Sequence, residues 1–211
     1  DKISSNSIKE IYGPVDGSAE EINDVANYLL PLKSKILLRE DAKEINLKEL
    51  DLRQFKIIHF ATHGEVSGAL SGVNEPFLVL SPPVESSNQD GLLKMSEIMS
   101  LDTNANLVVL SACNTAAGDE TGSEGFSGLA KSFFMSGSKS VLVSNWYVET
   151  YSAKDLIINF FKNLKDNPNS SISNNLNMTM LNMLENDKDR SHPMFWAPFV
   201  LVGQNNNFSN N

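Results

Sequence analysis

Cysteine is nearly absent from this chain of 211 residues: Cys113 stands alone. One thiol can form neither an internal disulfide nor a cysteine-based zinc site. Positive charge is also short, with 17 Lys and Arg against 26 Asp and Glu and a formal charge of −9. The cationic footprint needed to hold a phosphate backbone is missing, so direct nucleic-acid binding is not expected. No apolar run approaches the ~18 residues of a membrane span. The opening DKISSNSIKE has no apolar signal core. These absences leave a cytoplasmic, reducing compartment as the expectation. Neither GxxxxGKS/T nor GxGxxG occurs, which weakens a nucleotide-binding reading. There is no internal repeat. A chain of this length hides roughly 70% of its unfolded surface and needs no staple to fold. It begins without Met and is expected to be part of a longer protein.

What is present alternates between strand and helix patterns. Residues 1–17, polar and carrying Gly13, Pro14 and Gly17, read as an arm. From Ser18, SAEEINDVANYLLPL places Ile22, Val25, Ala26 and Leu29 on one helical stripe, with Ser18 and Glu21 as a capping box. KILL (35–38) reads as a short strand, INLKELDLRQF (45–55) as an amphipathic helix and KIIHFAT (56–62) as a buried strand. FLVLS (77–81), LVVLSAC (107–113), SVLVSNW (140–146) and FVLVG (199–203) read as further strands, and 65–76 as a loop or hairpin. Helices are expected at 95–101, 124–137, about 150–165 and about 171–186. The domain then spans 18–203, and 204–211 is expected to be a disordered tail. Such alternation, with strands apolar throughout, implies an α/β fold with a mostly parallel sheet covered on both faces. In such sheets the working residues lie beyond the carboxyl ends of the strands.

Two chemically capable residues fall there. His63 and Cys113 each end an apolar strand, and neighbouring strands would bring those ends to ~5 Å of each other. A thiol is only a few per cent thiolate at neutral pH, and an adjacent imidazole can take its proton and later return one to a leaving amine. Gly64, lacking a Cβ, lets its N–H approach a substrate carbonyl closely. With the Cys113 N–H it would form an oxyanion hole, at about 3–4 kcal/mol per donor.

The segments HFATHG (59–64), EPFLVLS (75–81), GLLKMSEI (91–98), LVVLSACNTAAG (107–118), GSEGFSGLAKSFFMSGSKSVLVSNWYVET (122–150) and HPMFWAPFVLVG (192–203) occur in this order. Together they resemble the CHAT family of caspase-like domains, often attached to tetratricopeptide repeats. The resemblance implies a three-layer caspase/gingipain-like sandwich. It implies a cysteine endopeptidase using a His–Cys dyad, with His63 in the family's ATHG motif and Cys113 in its SAC motif. It implies no cofactor and no metal, and a protein substrate bound in extended form beside Asn145, Trp146 and Glu149. A regulatory protein or attached repeat domain would switch it on. Departures from the family pattern are Asn114 after SAC, Ser136-Gly137-Ser138 in place of Ala-Gly-Ala, and Glu149 in place of Asp; Glu149 hints at a basic residue before the cut. The alternative is a catalytically silent binding or regulatory module.

Other residues have structural readings. His59, four positions before His63, reads as a core histidine bonded to backbone, because HxxxH is a zinc pattern only on a helix. His192 reads as a turn residue and Glu124 as a favourable charge at a helix start. The acidic loop 118–121 lacks calcium-loop spacing, and 186–191 reads as a solvated turn.

Overall fold

Strict alternation in Leu107–Leu110 sends Leu107 and Val109 to one face of a sheet and Val108 and Leu110 to the other, and all four are fully buried. Such a strand needs cover on both sides, and the computed structural model supplies it. The structure describes residue 8 and residues 10–29, 33–83, 88–111 and 128–207. Its strands are β1 (Ile57–Phe60), β2 (Gly64–Glu65), β3 (Phe77–Val79), β4 (Leu92–Lys94), β5 (Leu107–Leu110), β6 (Ser140–Ser144) and β7 (Phe199–Gly203). Its helices are α1 (Ser18–Tyr28), α2 (Glu44–Lys48), α3 (Met95–Ile98), α4 (Gly128–Met135), α5 (Thr150–Asp166) and α6 (Ile172–Asn186).

The central sheet runs β1-β5-β6-β7. β1, β5 and β6 are parallel, and β7 returns antiparallel along β6. On one face Val108, Val141 and Val143 meet Leu47, Ile98, Leu129 and Phe133 from α2, α3 and α4. On the other, Leu107, Val109 and Leu142 meet Val25, Phe160, Phe161 and Leu176 from α1, α5 and α6. The molecule is therefore a three-layer α/β sandwich with a mostly parallel centre, as the sequence pattern predicts.

Several local expectations are replaced. FLVLS does form the expected strand, over Phe77–Val79, but outside the central sheet. β3 is the middle strand of a separate antiparallel sheet, β2-β3-β4, because β2 turns back directly after His63. KILL forms no strand among the described residues, although Leu38 is itself extended, with φ −127° and ψ 149°. The expected helix at 45–55 is two pieces, α2 and a 3₁₀ turn at Leu52–Gln54. The capping box at Ser18 does not form. Gly17 (φ 75°) is the N-cap, no side chain caps the helix, and Glu21 is turned inward. Within the stretch expected as a polar arm, Ile8 is 1% exposed and sits in a cluster with Val73, Phe77, Val79 and Leu92, against which Tyr12 packs.

The small sheet is fastened by buried Glu44, which accepts the N–H groups of Gly91 (2.6 Å) and Asp90 (3.1 Å) and the ammonium of Lys48 (2.9 Å). Burial pushes the Glu44 carboxyl up, against the lowering pull of Lys48 and Gly91. Lys48 reaches on to Glu97 (2.7 Å), so α2 is tied to α3. The Ser-Gly-Ser stretch after α4 is also accounted for. Thr103 Oγ1 donates to Ser136 O (3.0 Å) and lies 3.1 Å from Ser138 Oγ. Gly137 (φ 106°) leaves no room for a Cβ, which would lie 2.3 Å from Thr103 O.

Candidate active site

The β1–β5 register pairs Phe60 with Leu110, and the Ser111 N–H donates to Phe60 O at 2.8 Å. The ladder thus continues one residue past β5, and the two strands release their chains at the same edge. His63 stands three positions beyond Phe60, and Cys113 stands three positions beyond Leu110 in the sequence. Cys113, Glu124 and the loop 118–121 lie outside the described residues.

His63 is half-buried, and its ring is held from the N-terminal side. Nε2 lies 2.8 Å from the carbonyl oxygen of Gly13. A carbonyl only accepts, so Nε2 carries the proton and, in the neutral ring, Nδ1 is the free base. The Tyr12 ring stands 5.7 Å from the imidazole, tilted by 46°, and meets Phe77 edge-on at 6.3 Å. Glu65 follows His63 closely. Burial pushes its carboxyl above the usual range, against the lowering influence of His63. Burial and the Glu65 charge together push the Tyr12 phenol up. Sequence reasoning missed Gly13 and Tyr12. Gly13 acts through its backbone, which no side-chain pattern signals.

Gly64 is buried and opposes Leu78 across β2 and β3. Val79 N–H donates to His63 O at 2.9 Å. In an antiparallel ladder, bonded and non-bonded pairs alternate, so the neighbouring Gly64–Leu78 pair is the non-bonded one and the Gly64 N–H points away from β3.

Asn145, Trp146 and Glu149 follow β6 at the same sheet edge, and the structure separates their roles. Asn145 is exposed and its N–H bonds Pro198 O at 2.9 Å. Trp146 is 45% exposed and Tyr147 68%, forming an open aromatic ledge; Tyr147 is a residue the sequence reading did not single out. Glu149 caps α5, accepting from Tyr151 N–H (2.9 Å), Ser152 N–H (2.8 Å) and Ser152 Oγ (2.8 Å). Burial raises its carboxyl, but these bonds outweigh burial and hold it below its ordinary value.

His59 is a core residue, although its partner is not backbone. Nε2 lies 2.8 Å from Glu21 Oε1, both side chains are buried, and the ring stands 5.6 Å from Phe161. His192 Nδ1 accepts the Met194 N–H at 3.2 Å and so caps the turn Pro193–Phe195. The 186–191 turn is anchored rather than merely solvated, because Arg190 pairs with both Asp187 and Asp155 of α5. Among the described residues no cluster of three or more His, Cys, Asp or Glu could hold a metal ion. No described helix is long and apolar enough to cross a membrane. A cavity of about 570 Å³ runs from Gly13 and His63 back along β1.

A mostly parallel sheet between two helical layers, with a histidine beyond the carboxyl end of one strand, defines a caspase-like α/β domain. The chain belongs to the CHAT domain family, a caspase-like, peptidase-related family whose sequence profile matches residues 4–204. It is similar to tetratricopeptide repeat protein 28 of Mus musculus and of Homo sapiens, in each case 26% identical over 223 aligned positions that cover 92% of this chain. The chain spans only 9% of the length of those relatives.

Proposed function

We propose that this domain is a cysteine endopeptidase in which Cys113 is the nucleophile and His63 its proton carrier. The observation that carries the reading is the tethered ring of His63. Its Nε2–H is committed to Gly13 O, leaving Nδ1 as the base, at the edge where the register partner of β1 releases its chain toward Cys113. In this mechanism Nδ1 takes the thiol proton and the sulfur attacks the scissile carbonyl carbon. The N–H groups of Gly64 and Cys113 receive the resulting oxyanion, each at about 3–4 kcal/mol. The imidazolium then protonates the leaving amine, giving a thioester. Water, losing its proton to His63, cleaves the thioester and restores the thiol. The chemistry calls for no cofactor. The substrate is an extended protein segment lying past β6 on the ledge of Asn145, Trp146 and Tyr147. Glu149 is the weakest member of the expected pocket, since its carboxylate is engaged by α5. A cytoplasmic location and control by a partner or attached repeat domain belong to the same proposal; the domain itself is wider than 18–203, since Ile8 packs in the core, Gly13 holds His63, and Asn206 and Asn207 pair with Ile172 and Ser171. The tetratricopeptide repeat for which the relatives are named and the small share of their length matched here favour that control.

A catalytically silent binding module is the second reading, favoured by relatives named for their tetratricopeptide repeats. Labelling with a peptide acyloxymethyl ketone separates the two. The first reading expects covalent capture at Cys113, lost in Cys113→Ala, and cleavage of a peptide library by the activated longer protein. Biological effects fully retained by Cys113→Ala would establish the second.

A further inference from the structure

We propose that Glu65 selects for a lysine or arginine directly after the scissile bond, a specificity that rests on the peptidase reading above. Sheet order gives the substrate its direction. β5, whose chain leads on to Cys113, lies between β1 and β6. In the reaction the acyl half of the substrate stays on the sulfur, while the leaving amine must come within about 3 Å of His63 to take its proton. The acyl half therefore runs toward the ledge after β6, and the half beyond the cut runs toward β1. The first side chain after the cut branches two bonds from that amine. It comes down beside His63, where β2 carries Glu65.

Glu65 opposes Phe77 across β2 and β3. Directly paired residues put their side chains on one face of a sheet, with Cβ atoms about 5 Å apart. On that face the Tyr12 ring meets Phe77 edge-on at 6.3 Å and stands 5.7 Å from the His63 imidazole. One aromatic ring thus joins the face that carries Glu65 to the ring that moves the proton. Glu65 is half-buried, and its carboxylate has neither a hydrogen bond nor an ion pair among the described residues. It does not serve to hold His63, because Nε2 is bonded to Gly13 O and Nδ1 is the base. Burial without a partner disfavours its charged form, and a cation brought by the substrate would relieve that cost. A Lys or Arg can lay its apolar stem along Tyr12 and place its charge at the carboxylate. An acidic residue at the same place would set like charges together. Glu149, the acid expected to favour a basic residue before the cut, is occupied by the cap of α5. The free carboxylate therefore lies on the other side of the scissile bond.

Sequencing the products that the activated longer protein makes from a random peptide library tests the proposal. Lys and Arg should be enriched directly after the cut, and Asp and Glu depleted there. Two peptides that differ only at that position, Lys in one and Ala in the other, then assign the preference. Their ratio of kcat/KM should fall roughly 10-fold in Glu65→Gln. Glu65→Lys should go further and favour a Glu peptide over the Lys one; should that variant fail to fold, the isosteric Gln variant still decides. Cleavage without a basic bias after the cut, or with a bias unchanged in Glu65→Gln, would overturn this proposal and leave the peptidase reading standing. Absence of any cleavage, together with absence of acyloxymethyl ketone capture at Cys113, would overturn both.

Discussion

His63 Nε2 and the Gly13 carbonyl oxygen lie 2.8 Å apart although the residues are fifty positions apart in the chain. The bond assigns the ring proton and fixes the ring against rotation, so the N-terminal stretch orients a group at the far end of β1. His63→Ala should slow alkylation of Cys113 at neutral pH by roughly 10²-fold or more. Its remaining reactivity should rise only as pH approaches the ordinary thiol value, ~8.5. Tyr12→Ala should cause a smaller loss and keep the wild-type pH profile. A His63→Ala protein that labels at the wild-type rate at pH 7 would end the dyad reading.

Glu21 and His59 form a buried pair, and His59 Nδ1 has no hydrogen-bond partner among the described residues. Glu21→Ala strips the ring of its remaining partner and should cost about 2 kcal/mol in urea unfolding. The double change Glu21→Leu with His59→Leu should be far milder, because neither polar group then remains unpaired. A double variant as unstable as the single one would show that the pair is not the source of the loss.

Glu149→Ala removes the cap of α5 and should cost about 1 kcal/mol at pH 7. The Glu149 carboxyl is held below its ordinary value. Its contribution is therefore fully present above the usual glutamate range, ~4.3, and fades as pH falls through the lower folded-state value. Unfolding curves of wild type and variant should converge toward pH 3, and a gap that widens in acid would contradict the assignment.

At Gly137, a positive φ coincides with a backbone oxygen where a Cβ would sit. Gly137→Ala should lower stability by about 2–3 kcal/mol, read from the denaturant midpoint at unchanged slope. An unaffected midpoint would mean that the turn joining α4 to β6 shifts without strain.

Burial was legible in the sequence; partnership was less so. β5, β6, α5 and α6 follow from unbroken apolar runs and helical stripes, and their alternation yields the parallel sheet. The same apolar signal in FLVLS cannot say which sheet receives it, and the turn-back at Gly64 and Glu65 decides in favour of the smaller one. Glu21 reads as a capping residue because its spacing from Ser18 is correct, yet the helix starts from a left-handed Gly17 and the carboxylate turns to His59 instead. His63 was legible as a strand-end histidine, whereas its tether was not, since a carbonyl oxygen is common to every residue type. The capping duty of Glu149 was equally hidden behind its likeness to a pocket residue.

The aromatic ledge gives the domain an optical reporter of its own. It has two indoles. Trp196 is partly buried and donates to Ser191 O at 3.0 Å, while Trp146 faces water beside Tyr147. Their emission should therefore divide into a blue and a red component. Loss of iodide quenching, or a blue shift confined to the red component, would signal a polypeptide settling beyond β6 without any dye or tag.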